Sequence, residues 1–280
     1  MEVAEKRYDL HTHTNCSDGI MTPQELLCAA KEAGLFGLSI TDHDTVSAYT
    51  PLLFEQAFTL GIDLITGVEF SCMHGLETVH ILGYGVDHRM AELKDFCDRY
   101  GSVREIRNQK IIDKLKKKGF KVTYEDLLVA KVNEYQVLGR PHIAKLLLER
   151  GHVKTMGEAF ERYLGEGRSC YVAPITPSIH ETIAMIHAAR GVAILAHPHL
   201  FKKKRVLKEI LKYPFDGLEC YYARTYRDVA ESFVKICREK GWLVTGGSDF
   251  HGSQKYVGAL GSSFIQGMDA ERFLNRIGRP

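Results

Sequence analysis

The sequence contains no C-x-x-C pair. Its seven cysteines, Cys16, Cys28, Cys72, Cys97, Cys170, Cys220 and Cys237, are odd in number and widely scattered. That argues against a disulfide framework and reads as reduced thiols in a cytosolic protein. No apolar run is long enough to span a membrane. The charged start, Met1-Glu2-Val3-Ala4-Glu5-Lys6, does not resemble a signal peptide, so a cytoplasmic location is expected. Net charge is scarce too: +2 over 280 residues argues neither for nor against nucleic acid. Internal repeats and low-complexity segments are also missing.

Histidine, by contrast, is plentiful, with 13 residues. Many of them directly follow short apolar runs, where strands are expected. A chain that is 45% hydrophobic and 26% charged suits one globular domain, or one domain carrying a smaller insertion.

The first strand is expected to end at Leu10. Thr22-Pro23-Gln24-Glu25 reads as a capping box opening a helix that stops at Gly34. Gly37–Ile40, Asp63–Glu69 and Thr78–Gly83 read as further strands, with a helix between the first two ending near Leu60. This alternation predicts a mostly parallel α/β fold. From about Met90 to Gly165 the periodicity is helical instead: one helix ends at Gly119, another starts at Arg140-Pro141, and a third covers Met156 to Leu164. The α/β rhythm then resumes, with helices from Thr176-Pro177 to Gly191 and from Thr225 to Lys240, and strands at Val192–Ala196, Phe215–Glu219 and Trp242–Gly246. The expected division is therefore 1–99 and 171–280 for the α/β unit, with 100–170 as the insertion.

Parallel α/β folds carry functional groups at the carboxyl ends of their strands. That rule gathers His11, His13, Asp18, Asp42, His43, Glu69, His80, His197, Asp249 and His251. All are imidazoles or carboxylates. Alternate residues of a strand share a face, so His11 and His13 can serve one ion, as can Asp249 and His251. Such ligands suit manganese, iron or zinc better than magnesium or calcium. They exceed the needs of one ion, which predicts two or three divalent ions with a bridging carboxylate. Clustered ions of that kind bind phosphate oxygens and activate water, as phosphoester hydrolysis requires.

Asp9-Leu10-His11-Thr12-His13-Thr14 with Ser17-Asp18-Gly19, Thr41-Asp42-His43-Asp44, Gly67-Val68-Glu69-Phe70-Ser71, His80-Ile81-Leu82-Gly83, Ala196-His197-Pro198 and Ser248-Asp249-Phe250-His251 follow one another in order. Together they resemble the PHP (polymerase and histidinol phosphatase) family of metal-dependent phosphoesterases. The resemblance implies a distorted (β/α)7 barrel with a mainly helical insertion capping the active site, and a trinuclear metal centre. It implies one ion on His11, His13, Glu69 and Asp249. A second would sit on Asp18, His43 and His251, and a third on Glu69, His80 and His197. Manganese is the first expectation, with zinc or iron(II) as alternatives.

Gly139-Arg140-Pro141-His142-Ile143-Ala144 further resembles the nucleotide-acting subgroup. Its members remove the 3′-phosphate of nucleoside 3′,5′-bisphosphates or trim short RNA from the 5′ end. The resemblance makes Arg140, His142 and Arg168 the expected substrate contacts. His199 and His142 become the candidates for donating a proton. A nucleotide or short RNA is the expected partner, and neither a membrane nor double-stranded DNA is expected. Histidinol phosphate hydrolysis, and a metal-binding accessory role beside a polymerase or signalling system, stay open as alternatives. Nothing in the sequence assigns an oligomeric state.

Overall fold

Short β-branched and aliphatic runs separated by capped helices give seven strands in one sheet, ordered as they occur in the chain. The computed structural model describes residues 5–75, 77–133, 136–223, 225–252 and 258–279. The first four residues of the charged start lie outside that set. The first half contains β1 (Tyr8–Thr12), α1 (Pro23–Glu32), β2 (Gly37–Ile40), α2 (Pro51–Leu60), β3 (Asp63–His74) and β4 (Glu77–Tyr84). The helical stretch contains α3 (Ala91–Lys117), α4 (Tyr124–Val129), α5 (Arg140–Glu149) and α6 (Met156–Ala159), the last running into a π-helical turn, Phe160–Leu164. The chain then forms α7 (Ile179–Ala188), β5 (Val192–Leu195), a 3₁₀ turn at Pro198–Leu200, α8 (Lys204–Ile210), β6 (Gly217–Tyr222), α9 (Arg227–Lys240), β7 (Leu243–Gly247) and α10 (Gly267–Arg276).

Pairing is parallel from β1 to β3 and again from β5 to β7. It is antiparallel on both sides of β4. The expected break after Glu69 does not occur: β3 continues to His74 and turns straight into β4 as a hairpin. The barrel closes just beyond β7. Phe250 bridges to Thr12, and the His13 N–H donates to the Phe250 carbonyl at 2.8 Å. Tyr8 and Ile265 exchange two bonds of 2.9 Å. Gly247 makes this seam possible, since a Cβ there would lie 2.4 Å from the His11 nitrogen.

α1 begins as the sequence predicts. Thr22 and Glu25 cap one another's backbone, and Pro23 fills the first turn. α7 starts later than expected, at Ile179, because the Ser178 side chain accepts the Glu181 N–H and forms the cap. α4, α8 and α10 are additional to the sequence expectation. Phe273 of α10 packs with Leu10, Leu82, Tyr84, Ile194 and Leu243, closing one end of the barrel.

α3 spans two cores. Leu93 and Phe96 belong to the cluster between the sheet and its helices. Ile111, Ile112 and Leu115 belong to a separate cluster with Leu127, Ile143, Leu147 and Leu164. Each such side chain contributes roughly 1.5–3 kcal/mol when buried, so the helical stretch has a core of its own. No helix among the described residues is long and apolar enough to cross a membrane.

Candidate metal centre

The parallel strands all end at one rim of the barrel, and that rim collects the titratable groups. His11 Nε2 lies 3.3 Å from Glu69 Oε2 and 3.2 Å from Asp249 Oδ1. His13 Nε2 lies 3.2 Å from each of the same two oxygens. A second group joins His13, Asp18, His43 and His251, with His251 Nε2 3.2 Å from Asp18 Oδ1. A third joins His43, Glu69 and His80. His197 stands at its edge, with Nε2 3.1 Å from Glu69 Oε1 and 3.2 Å from His80 Nδ1. Glu69 thus belongs to two of the three groups, and His43 faces Glu69 through Nδ1 and Asp18 through Nε2.

His80 reaches the site by a route the strand-end rule does not describe. It lies within β4, which runs opposite to its neighbours, so the start of β4 stands at the functional rim. Glu69 likewise sits inside a long strand rather than at its end.

The donor set fits divalent cations. His11 Nε2, His13 Nε2 and His43 Nδ1 are buried and make no hydrogen bond among the described residues. Imidazole lone pairs and carboxylate oxygens converge on shared points, which is how ligands approach an ion. The electrostatics agree. Burial alone pushes the His13 imidazole down, but the Asp249 and Glu69 carboxylates 3.2 Å away carry it up to about 10. Burial raises Asp18, yet the His251 and His43 charges hold it well below the usual carboxylate range. Burial likewise works against Glu69, which His80, His43 and His11 hold well below normal. His43 goes the other way, down to about 3, because burial dominates. The carboxylates therefore stay charged and draw cationic partners into the site.

Surrounding groups fix the ligands. Glu219, buried on β6, accepts His11 Nδ1–H at 2.8 Å and the His197 backbone N–H at 2.7 Å. This points His11 Nε2 at the carboxylates. Asp9 accepts the Ser248 N–H at 2.9 Å and its hydroxyl at 2.6 Å, tying β1 to the segment that carries Asp249. Asp42 accepts from Thr14 and Ser17, which shapes the loop holding Asp18. Asp44, His197 and Asp249 adopt left-handed backbone angles, with φ of 55°, 29° and 53°. Such conformations cost roughly 1–2 kcal/mol each and persist where surrounding bonds hold them. Replacing Glu219 with Gln is expected to weaken metal affinity about 10–100-fold while leaving the fold intact. Metal titration of the purified variant measures this, and unchanged affinity would remove Glu219 from its positioning role.

A cleft of about 200 Å³ opens beside these groups, lined on one wall by Asp18, His43 and His80. The other wall comes from the helical stretch and presents Arg104, Arg107 and Arg140. The Arg104 guanidinium pairs with Asp44 and lies 3.3 Å from the Ser71 hydroxyl. Arg107 donates through Nε to the Val172 carbonyl at 2.9 Å, while its Nη2 is buried and unpartnered among the described residues. Arg140 sits between the Phe160 and Tyr171 rings, 6.0 and 5.9 Å away. Burial, then the charges of Arg140 and Arg104, push Arg107 down to about 10. Among the described residues no carboxylate forms an ion pair with Arg107 or Arg140.

The other sequence candidates stand elsewhere. His142 accepts the Gly139 N–H on Nδ1 at 3.0 Å and meets the Gln136 side chain at 3.1 Å. Its ring lines a neighbouring groove and caps the helix that carries Arg140. Arg168 is exposed and does not line the cleft. His199 lies two residues beyond His197 and packs on Tyr222 with ring centres 4.5 Å apart. Both of its ring nitrogens are buried without a partner among the described residues. Arg104, Arg107 and Glu219 are absent from the sequence-based set. Glu219 had a usable signal, since it is one more carboxylate in a strand that ends at this rim. The arginines had none, because the wall opposite them comes from distant segments.

The PHP domain pattern matches residues 9–224. A 5′-3′ exoribonuclease of Haemophilus influenzae is 33% identical over 88% of this chain and 90% of its own. A 3′,5′-nucleoside bisphosphate phosphatase of Chromobacterium violaceum is 30% identical over 87% and 86%. Among solved structures, a protein of Bifidobacterium adolescentis assigned to the metal-dependent phosphoesterases superposes with a TM-score of 0.86 at 30% identity, covering 99% of both chains.

Proposed function

The chain belongs to the PHP domain family and is a metal-dependent phosphoesterase, and on that premise we propose that it hydrolyses nucleotide phosphoesters. The substrates are the 3′-phosphate of nucleoside 3′,5′-bisphosphates and the 5′-terminal linkage of short RNA. One observation carries this reading: three guanidinium groups, two of them without a carboxylate partner, face the metal-ligand wall across one cleft. A substrate with one phosphate at the metal wall and a second one beyond it satisfies both walls.

In this reading His11, His13, Asp18, His43, Glu69, His80, His197, Asp249 and His251 hold two or three divalent ions, with manganese as the main metal. Bound there, the ions neutralise phosphate oxygens and activate water. Arg140 clamps the second phosphate through its planar fork, with Arg104 and Arg107 adding charge. His199, at the edge of the metal ligands, is assigned the proton transfer to the leaving oxygen, and its two ring nitrogens have no partner among the described residues. His142 keeps α5, and with it Arg140, in place. Residues 1–99 and 171–280 act as the catalytic barrel and 100–170 as its cap. The buried thiols suit a reducing cytoplasm.

The test is a manganese-supplemented substrate panel: adenosine 3′,5′-bisphosphate, 5′-phosphorylated oligoribonucleotides and histidinol phosphate. Release of phosphate or mononucleotides from the first two, with histidinol phosphate left intact, is the expected result. Turnover of histidinol phosphate alone would overturn the nucleotide assignment.

A further inference from the structure

We propose that the rim surface carrying Leu200, Lys202, Lys204, Tyr222 and Tyr226 is a binding track for single-stranded RNA, holding the chain 3′ of the bond being cut. The inference rests on the nucleotide reading above and adds a site to it. The arginine cleft accounts for only one side of the metal groups. Among the described residues none beyond Pro177 lines it, so Leu200, Lys202, Lys204, Tyr222 and Tyr226 belong to a separate face.

That face begins at the metal ligands themselves. The Tyr222 hydroxyl donates to Asp249 Oδ2 at 2.8 Å, which fixes its ring beside the site. His199 packs against the same ring. Beyond this pair, Leu200 is 57% exposed and Tyr226 is 81% exposed. An apolar side chain and a phenol left in water on a rim next to phosphoester chemistry match what unstacked bases need.

The charge follows the same path. Lys202, Lys203, Lys204 and Arg205 come directly after Leu200 and Phe201. Lys203 pairs with Glu77 at 3.3 Å, and Glu77 opens β4 three residues before His80, about 10 Å along the strand. This pairing anchors the basic run at the functional rim. Arg205 is taken by Glu209. Lys202 and Lys204 are exposed and form no ion pair among the described residues, which leaves their charge for a phosphate backbone. An exposed phenol and unpaired cations on one rim are the combination that binds single strands without reading sequence. A lone nucleotide is accounted for by the arginine wall and the metal groups, so the track is expected to matter only for longer substrates.

The experiment compares two variants, Tyr226→Ala/Leu200→Ala and Lys202→Glu/Lys204→Glu, with the unmodified enzyme. Substrates are a 5′-phosphorylated pentaribonucleotide and adenosine 3′,5′-bisphosphate, both with manganese. Each variant is expected to lose about tenfold or more in kcat/KM on the pentamer. On the bisphosphate each should stay within about twofold. The lysine variant should also show a shallower salt dependence of KM on RNA. Equal rates on the pentamer, or equal losses on both substrates, would overturn the track. So would an unmodified enzyme that turns over the bisphosphate but no RNA, a result that leaves the phosphoesterase reading standing. Failure of the unmodified enzyme on both substrates would instead overturn the nucleotide reading itself.

Discussion

Replacing His11 and His13 together with alanine is expected to lower turnover by about 10⁴-fold or more, because it removes the imidazoles that converge with Glu69 and Asp249. The loss is chemical rather than structural. β1 is held by Tyr8 and Leu10, both buried in the apolar cluster closed by α10, and by backbone pairing to β2. Far-UV circular dichroism should therefore stay native while bound metal falls. The three ligand groups share residues, so the effect should spread beyond one ion: His13 belongs to two of them. A variant that keeps its metal and turns over at a normal rate would undo the assignment.

The second large effect concerns Arg140. Arg140→Ala is expected to cost ten- to a hundredfold in kcat/KM on a nucleoside bisphosphate, the worth of a charge-assisted bidentate contact of about 1.5–3 kcal/mol. Arg140→Lys should recover only part of it, since an ammonium keeps the charge but not the fork. A substrate with a single phosphate should lose far less. That difference separates substrate binding from a merely structural role, because Arg140 also donates to the Leu164 carbonyl and packs between Phe160 and Tyr171. If both substrates fall together, with a lowered melting temperature, Arg140 holds the cap rather than the phosphate.

Much of this site is legible in the sequence for a simple reason. Imidazoles and carboxylates at strand ends stand out against apolar runs, and a barrel brings those ends to one rim. The strand-end rule holds for His11, His13, Asp249 and His251. It describes His80 and Glu69 poorly, because β3 runs on into a hairpin and β4 reverses direction. The local mark of that hairpin is a single glycine, Gly75, which takes a φ of 62° between the two strands; the apolar content of Phe70–Cys72 serves a parallel or an antiparallel neighbour equally well.

The cap is harder to read. Its helices follow from periodicity, yet the wall they present does not. Arg104 and Arg107 sit one turn apart on a long polar helix and look like a solvated face until Asp44, Ser71 and Val172 are placed beside them. His142 misleads in the opposite direction. It stands two residues from Arg140 in a motif that resembles a nucleotide-binding one, but both of its ring nitrogens are engaged by its own loop. Adjacency in sequence carries less information on a helix start than on a strand, since successive residues there point in different directions.

Metal content tests the account most directly. Protein stripped of metal, reloaded with manganese and freed of excess ion should retain two or three ions per chain, as the three ligand groups require. His11→Ala/His13→Ala protein treated in the same way should keep at most one. Fewer than one tightly held ion in the unmodified protein, or equal retention in the variant, would contradict the account.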